Sequence, residues 1–261
     1  MCEAEFTSFG RERLLKGEPR TRQLPEDRKY RPERMIELVA KPSVDDKWIE
    51  PPILFSDSSA SARRYGFDIR PDCAYWLSLQ AFNKSWRSLI KQYALVMYRR
   101  VAFPYFTIEF KRDDSTGITA ENRVAVAGAM ALYNRYSLRS EHLQLAKKKE
   151  QVSDIACLKH YSATFSECHY SLWCIEPKLA QDGTWHGCTM SRIFRDNCDI
   201  GEGLLSCVQW LNEIHAWGLA KYGPACQRDI KGCMKAAGYR MSDIGMDDDE
   251  PQDTGEHAPP E

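Results

Sequence analysis

Three side chains in this sequence have the types and spacing to do chemistry together: Asp72, Glu109 and Lys111. Asp72 follows a proline and enters the apolar stretch "CAYWL", while Glu109 and Lys111 close the run "FPYFTIEFK", residues 103–111. Alternate side chains of a strand share a face. Phe106, Ile108 and Phe110 should therefore point to a core, with Thr107, Glu109 and Lys111 on the opposite surface. A bare E-x-K pair is most often a solvated ion pair. An aspartate arriving on a second strand changes the chemistry available. Two converging carboxylates can hold Mg²⁺ or Mn²⁺, hard cations that keep their waters and bind phosphate. A lysine beside them can steady an attacking water or the charge on a phosphoryl group. The set suits hydrolysis of a phosphodiester, with Asp72 and Glu109 on the metal and Lys111 supporting the nucleophile.

The elements that must position these residues can be read from the hydrophobic pattern. "RPERMIELVAK" has helical spacing at Met35, Ile36 and Val39, with a proline suited to a first turn. "GFDIRPDCAYWLSL" reads as a strand pair or one bent strand. "FNKSWRSLIKQYALVMYRR" predicts a helix with Trp86, Leu89, Ile90, Tyr93 and Met97 as its apolar stripe. After the E-x-K strand, "TAENRVAVAGAMALYNRYSLRSEHLQLAK" is the longest helical signal, and Gly128 with its alanines suits close packing on a sheet. Three strand-like runs follow, with a turn at Asp182-Gly183, and then two helices, the second entered through Pro224. The expected class is α/β, a mixed sheet flanked by helices.

Composition bounds the rest. The 261 residues suit one large domain or two small ones, and 43% hydrophobic with 28% charged is ordinary for a globular chain. No apolar run approaches the roughly 20 residues of a membrane span, so no membrane partner is expected. The ten cysteines contain no C-x-x-C pair, and the start of the chain lacks a secretory pattern. These features point to reduced thiols and an intracellular, nuclear or cytoplasmic, location. Residues 243–261 carry eight acids and no Lys or Arg. Taking eight negative charges from the net −1 leaves the remainder at +7. The expected division is a flexible arm at 1–31, a folded domain at 32–242 and a disordered acidic tail at 243–261. Within the folded part, Lys84, Arg87 and Lys91 recur on one face of the predicted helix, and Arg112 follows the E-x-K strand. Such a basic face suits phosphate contacts with nucleic acid.

The P-D…E-x-K order, with "FPYFTIEFK" (103–111), "AENRVAVAGA" (120–129) and "WLNEIHAWGLAKYGPACQRDIK" (210–231), resembles the PD-(D/E)XK nuclease superfamily. Within it the likeness is to uncharacterised fungal nuclease-like domains. The resemblance implies a restriction-endonuclease-like fold over about residues 66–231 and nuclease activity on DNA, less readily RNA. It also implies Mg²⁺ or Mn²⁺ at Asp72 and Glu109. The sequence departs from the pattern in one respect. Thirty-six residues separate Asp72 from Glu109, so either a helix is inserted between the two strands or Asp68 replaces Asp72. The superfamily's first helix sometimes adds a glutamate, and Glu37 or Glu33 could serve, though Glu37 with Lys41 also makes an ordinary surface pair. The alternative function is a catalytically inactive module of the same fold that binds nucleic acid or protein.

Overall fold

The eleven-residue strand carrying the E-x-K pair is buried along its whole length, which fixes the rest of the architecture around it. A strand buried on both faces needs helices above and below the sheet. The computed structural model describes residues 5, 7, 8, 10–15, 35–42, 48–52, 70–112, 117–147, 157–198 and 201–240. The predicted arm, the acidic tail, Glu33 and Asp68 lie largely or wholly outside these. The strands are β1 (Ile36–Ala40), β2 (Cys73–Ser78), β3 (Val96–Met97), β4 (Val101–Lys111), β5 (His160–Ser166), β6 (His169–Leu179) and β7 (Trp185–Asn197). They form one mixed sheet in the order β1-β2-β4-β5-β6-β7, with β3 paired to the start of β4.

Only β4 and β5 run parallel; the other neighbours are antiparallel. A parallel pair requires a crossover, and helix α1 (Gly117–Ala146) provides it. α1 covers one face of the sheet, and Gly128 sits where an added Cβ would collide with Ile175 and press on His160. The close packing expected of that glycine is present. Helix α2 (Gly201–Trp217) covers the other face, and a π turn at Gly218–Tyr222 leads into α3 (Gly223–Ala236), which packs against α1. On that other face Leu211 and Ile214 join the core of Tyr75, Phe106, Ile108 and Phe110. His215, at 0% exposure, has Nδ1 2.7 Å from the Tyr105 hydroxyl and is the hydrogen-bonded core histidine its apolar helix face suggests.

β4 absorbs two extra residues against β2. Its partners step from Tyr75↔Phe106 to Trp76↔Pro104 and then to Leu77↔Ala102, leaving Tyr105 and Phe103 as bulges. A proline cannot donate to a ladder, so a bulged stretch is where a central strand can accept Pro104.

Two expectations are corrected. Within the helix predicted over residues 31–41, Ile36–Ala40 is instead strand β1, because Ile36 and Val39 serve opposite faces of the sheet rather than one helix stripe. The helix expected between Asp72 and Glu109 does not form. A 3₁₀ turn at Arg87–Gln92 and the short β3 occupy that stretch. Asn83 Oδ1 accepts from the backbone N–H and hydroxyl of Ser85 at 3.0 and 2.9 Å, a local turn that competes with helix. Trp86 and Ile90 still reach the core from it.

Candidate active site

Asp72 lies immediately before β2, and its register sets it beside Glu109 on β4. The two acids are cross-fastened. The Asp72 backbone N–H donates to Glu109 Oε2 at 3.2 Å, and the Phe110 backbone N–H donates to Asp72 Oδ2 at 2.8 Å. Each carboxylate is thus held by the neighbouring strand's main chain. Lys111 Nζ lies 3.1 Å from Glu109 Oε1, so all three residues singled out from the sequence come together.

The surface expected for them is instead an interior. α1 lies over this face of β4, leaving Glu109 at 0% and Lys111 at 5% exposure, while Asp72 is half-buried. A buried carboxylate needs a positive partner. Besides Lys111, that partner is Arg123 on α1, whose Nη1 donates to Glu109 Oε1. Burial raises the Glu109 carboxyl above the usual carboxylate range, and Asp72 raises it further; Arg123 and Lys111 act in the opposite direction. Arg123 was not among the sequence candidates. It lies in the "AENRVAVAGA" block, but only the packing of α1 over β4 reveals its partner.

The remaining candidates divide by which end of the sheet they occupy. From Asp72 to the end of β2 at Ser78 is about 20 Å at strand rise, and residues 79–100 follow at that far end. Lys84, Arg87 and Lys91 therefore stand at the opposite end of the sheet from the carboxylates. Arg87 spends its guanidinium on the carbonyls of Phe82 and Gln80, so the single basic face expected of a helix does not exist. Glu37 is at that far end too. It accepts from the Ser78 hydroxyl and pairs with Arg100 at 3.0 Å, not with Lys41. It is thus no part of this site. Arg112 follows β4 directly and is exposed near the carboxylates, as is Arg70 beside Pro71. Asp68 lies outside the described residues.

The donors at the site are carboxylate oxygens alone, which suits a hard divalent cation such as Mg²⁺ or Mn²⁺. Among the described residues no cluster of three or more His, Cys, Asp or Glu occurs. A cation here would complete its shell with water and phosphate oxygens, the usual habit of Mg²⁺. Compared with known protein families, curated proteins and solved structures, the chain matches none of them.

Proposed function

We propose that this protein is a metal-dependent nuclease hydrolysing phosphodiester bonds in nucleic acid, DNA in the first instance. The observation that carries the reading is the cross-fastened pair of Asp72 and Glu109 with Lys111 on the other oxygen of Glu109. The strand order supports it. Three antiparallel strands, a crossover helix and a parallel fourth strand, with the acids on the second and third, agree with a restriction-endonuclease-like core.

The chain's own residues divide the work. Asp72 and Glu109 would hold Mg²⁺ or Mn²⁺, which when bound supplies Lewis acidity toward phosphate and water. The backbone bonds to both carboxylates fix their direction before substrate arrives, so little reorganisation is left for the reaction. Lys111, anchored on Glu109, points one ammonium at the same place, where it can steady a water or a phosphoryl oxygen. Arg70 and Arg112 offer exposed positive charge to the flanking phosphates.

A second reading has its own observation. Glu109 Oε1 is engaged by both Lys111 and Arg123, an arrangement also suited to a non-cleaving module that binds nucleic acid or protein. A cleavage assay on DNA and RNA with Mg²⁺ or Mn²⁺, wild type beside Asp72→Asn and Lys111→Ala, separates the two. Cleavage lost in both variants supports the nuclease. A wild type that cuts nothing with either metal leaves the binding module.

A further inference from the structure

Arg123 is the more exposed of the two cations on Glu109. Lys111 projects from the middle layer of the fold and is 6% exposed along its side chain; Arg123 reaches in from α1 and is 41% exposed. When ionised, Asp72, Glu109, Lys111 and Arg123 sum to zero charge. A divalent cation brought to the carboxylates would leave a surplus of two positive charges within a few ångströms and would compete directly for Glu109 Oε1. At such range the repulsion between a guanidinium and a cation is worth kilocalories in a partly buried site. The exposed, long-stemmed partner is the one that can yield. A phosphodiester arriving at the same place offers it oxygens, and a planar guanidinium matches phosphate geometry better than an ammonium.

Building on the nuclease reading, we propose that Arg123 is a substrate-binding residue: it holds Glu109 before a cation arrives, then turns to a non-bridging oxygen of the phosphodiester. Arg123 thus occupies the place of the metal in one state and grips the substrate in the other. Lys111 stays with Glu109 in both.

Two binding measurements test this without relying on turnover. In calorimetry with Mn²⁺ alone, Arg123→Gln should bind several-fold tighter than wild type, because a competing charge has gone. With a duplex DNA oligonucleotide in Ca²⁺, Arg123→Gln should bind about tenfold weaker, the scale of one charge-assisted hydrogen bond. Its salt slope should fall by about one phosphate contact. Arg123→Lys should restore the salt slope and only part of the affinity. A residue that merely props Glu109 would show the reverse for Mn²⁺, with weaker binding in Arg123→Gln, and unchanged oligonucleotide affinity; either result overturns the proposal. A wild type that binds Mn²⁺ and the oligonucleotide yet cuts nothing removes the nuclease reading while these two measurements still decide the role of Arg123. Wild type binding neither overturns both.

Discussion

Glu109 remains buried because each of its oxygens has a donor: Lys111 and Arg123 on Oε1, the Asp72 backbone on Oε2. That dual duty, as the proposed metal ligand and as the counter-ion of a buried lysine, decides which substitutions are informative. Glu109→Gln would leave the Lys111 ammonium without its carboxylate, and breaking a buried pair costs about 3–5 kcal/mol. A lower denaturation midpoint is therefore expected, and loss of activity in that variant would mix folding with chemistry. Asp72→Asn and Lys111→Ala are cleaner. Asp72 is half-exposed, and Lys111→Ala leaves Glu109 still paired with Arg123. Both should keep a near wild-type midpoint while cleavage falls at least about a hundredfold, as on removing one preorganised electrostatic group. Calorimetry with Mn²⁺ should show weakened binding in Asp72→Asn only. Undiminished cleavage in both would mean the chemistry lies elsewhere. The triad was legible in the sequence because its marks are local: a proline before the aspartate, and a glutamate and a lysine two positions apart, hence on one strand face. Arg123 was not legible, since its role arises from where a crossover helix lands. Lys84, Arg87 and Lys91 misled because nearness in sequence to Glu109 does not say which end of a strand a loop occupies.

Among the elements, those with a long and consistent period declared themselves. β4, β5, β6, β7, α1, α2 and α3 follow the hydrophobic pattern. The turn at Asp182-Gly183 is built as its residues suggest, with Asp182 Oδ1 accepting from the backbone and hydroxyl of Thr184 at 3.0 and 2.7 Å. β1 was misread because its few apolar residues fit either period, and partnership with β2 decided between them. The stretch 82–97 has a helical stripe, yet Asn83 and Ser85 close a local turn and β3 claims its end. β3 returns to β4 through Tyr98 and Arg99, both at positive φ, 50° and 57°, with the Arg100 N–H bonded to the Met97 carbonyl at 3.0 Å. Two consecutive left-handed residues define the hairpin turn that prefers Asn-Gly, and each non-glycine there costs about 1–2 kcal/mol. Replacing Tyr98→Asn together with Arg99→Gly should raise stability by about 1 kcal/mol, allowing for the freedom glycine adds to the unfolded chain. Denaturant unfolding would reveal it as a higher midpoint at unchanged slope. A lower midpoint would show that the exposed Tyr98 ring and the Arg100 guanidinium, 5.9 Å from its centroid, stabilise the hairpin more than the turn strains it.

At the scale of the whole molecule, α1 and α3, which pack directly on each other, are tied together at a single buried charge. Arg135, Arg139 and His142 line one face of α1 and converge on Asp229 of α3, with Arg139 Nη1 at 3.1 Å and His142 Nδ1 at 2.8 Å; Arg135 Nη2 donates at 2.5 Å. Burial alone would push the Asp229 carboxyl up, but Arg135, His142 and Arg139 outweigh it and hold it down at about 2. His160, on the face of β5 under α1, is displaced by burial to about 3 and stays neutral. Both groups lose stabilisation on acidification, while Glu109, raised by burial, acts in the opposite sense. In both cases the unfolded chain takes up protons at higher pH than the folded one, so stability is lost as pH falls. His160 contributes fully above its ordinary 6.5 and its contribution fades down to about pH 3, by up to about 1.4 kcal/mol per pH unit. Asp229 adds a second decline from 3.8 down to about 2. His160→Gln should flatten the first decline and leave the second. Asp229→Asn should do the opposite, and at pH 7 it should already cost about 3–5 kcal/mol, because it strands two buried guanidinium groups. Denaturant unfolding at a series of pH values checks each window separately. A His160→Gln protein whose stability falls as steeply as wild type between pH 6.5 and 3 would show that His160 is not the buried neutral base its surroundings require. An Asp229→Asn protein as stable as wild type at pH 7 would mean that apolar contacts alone join α1 to α3.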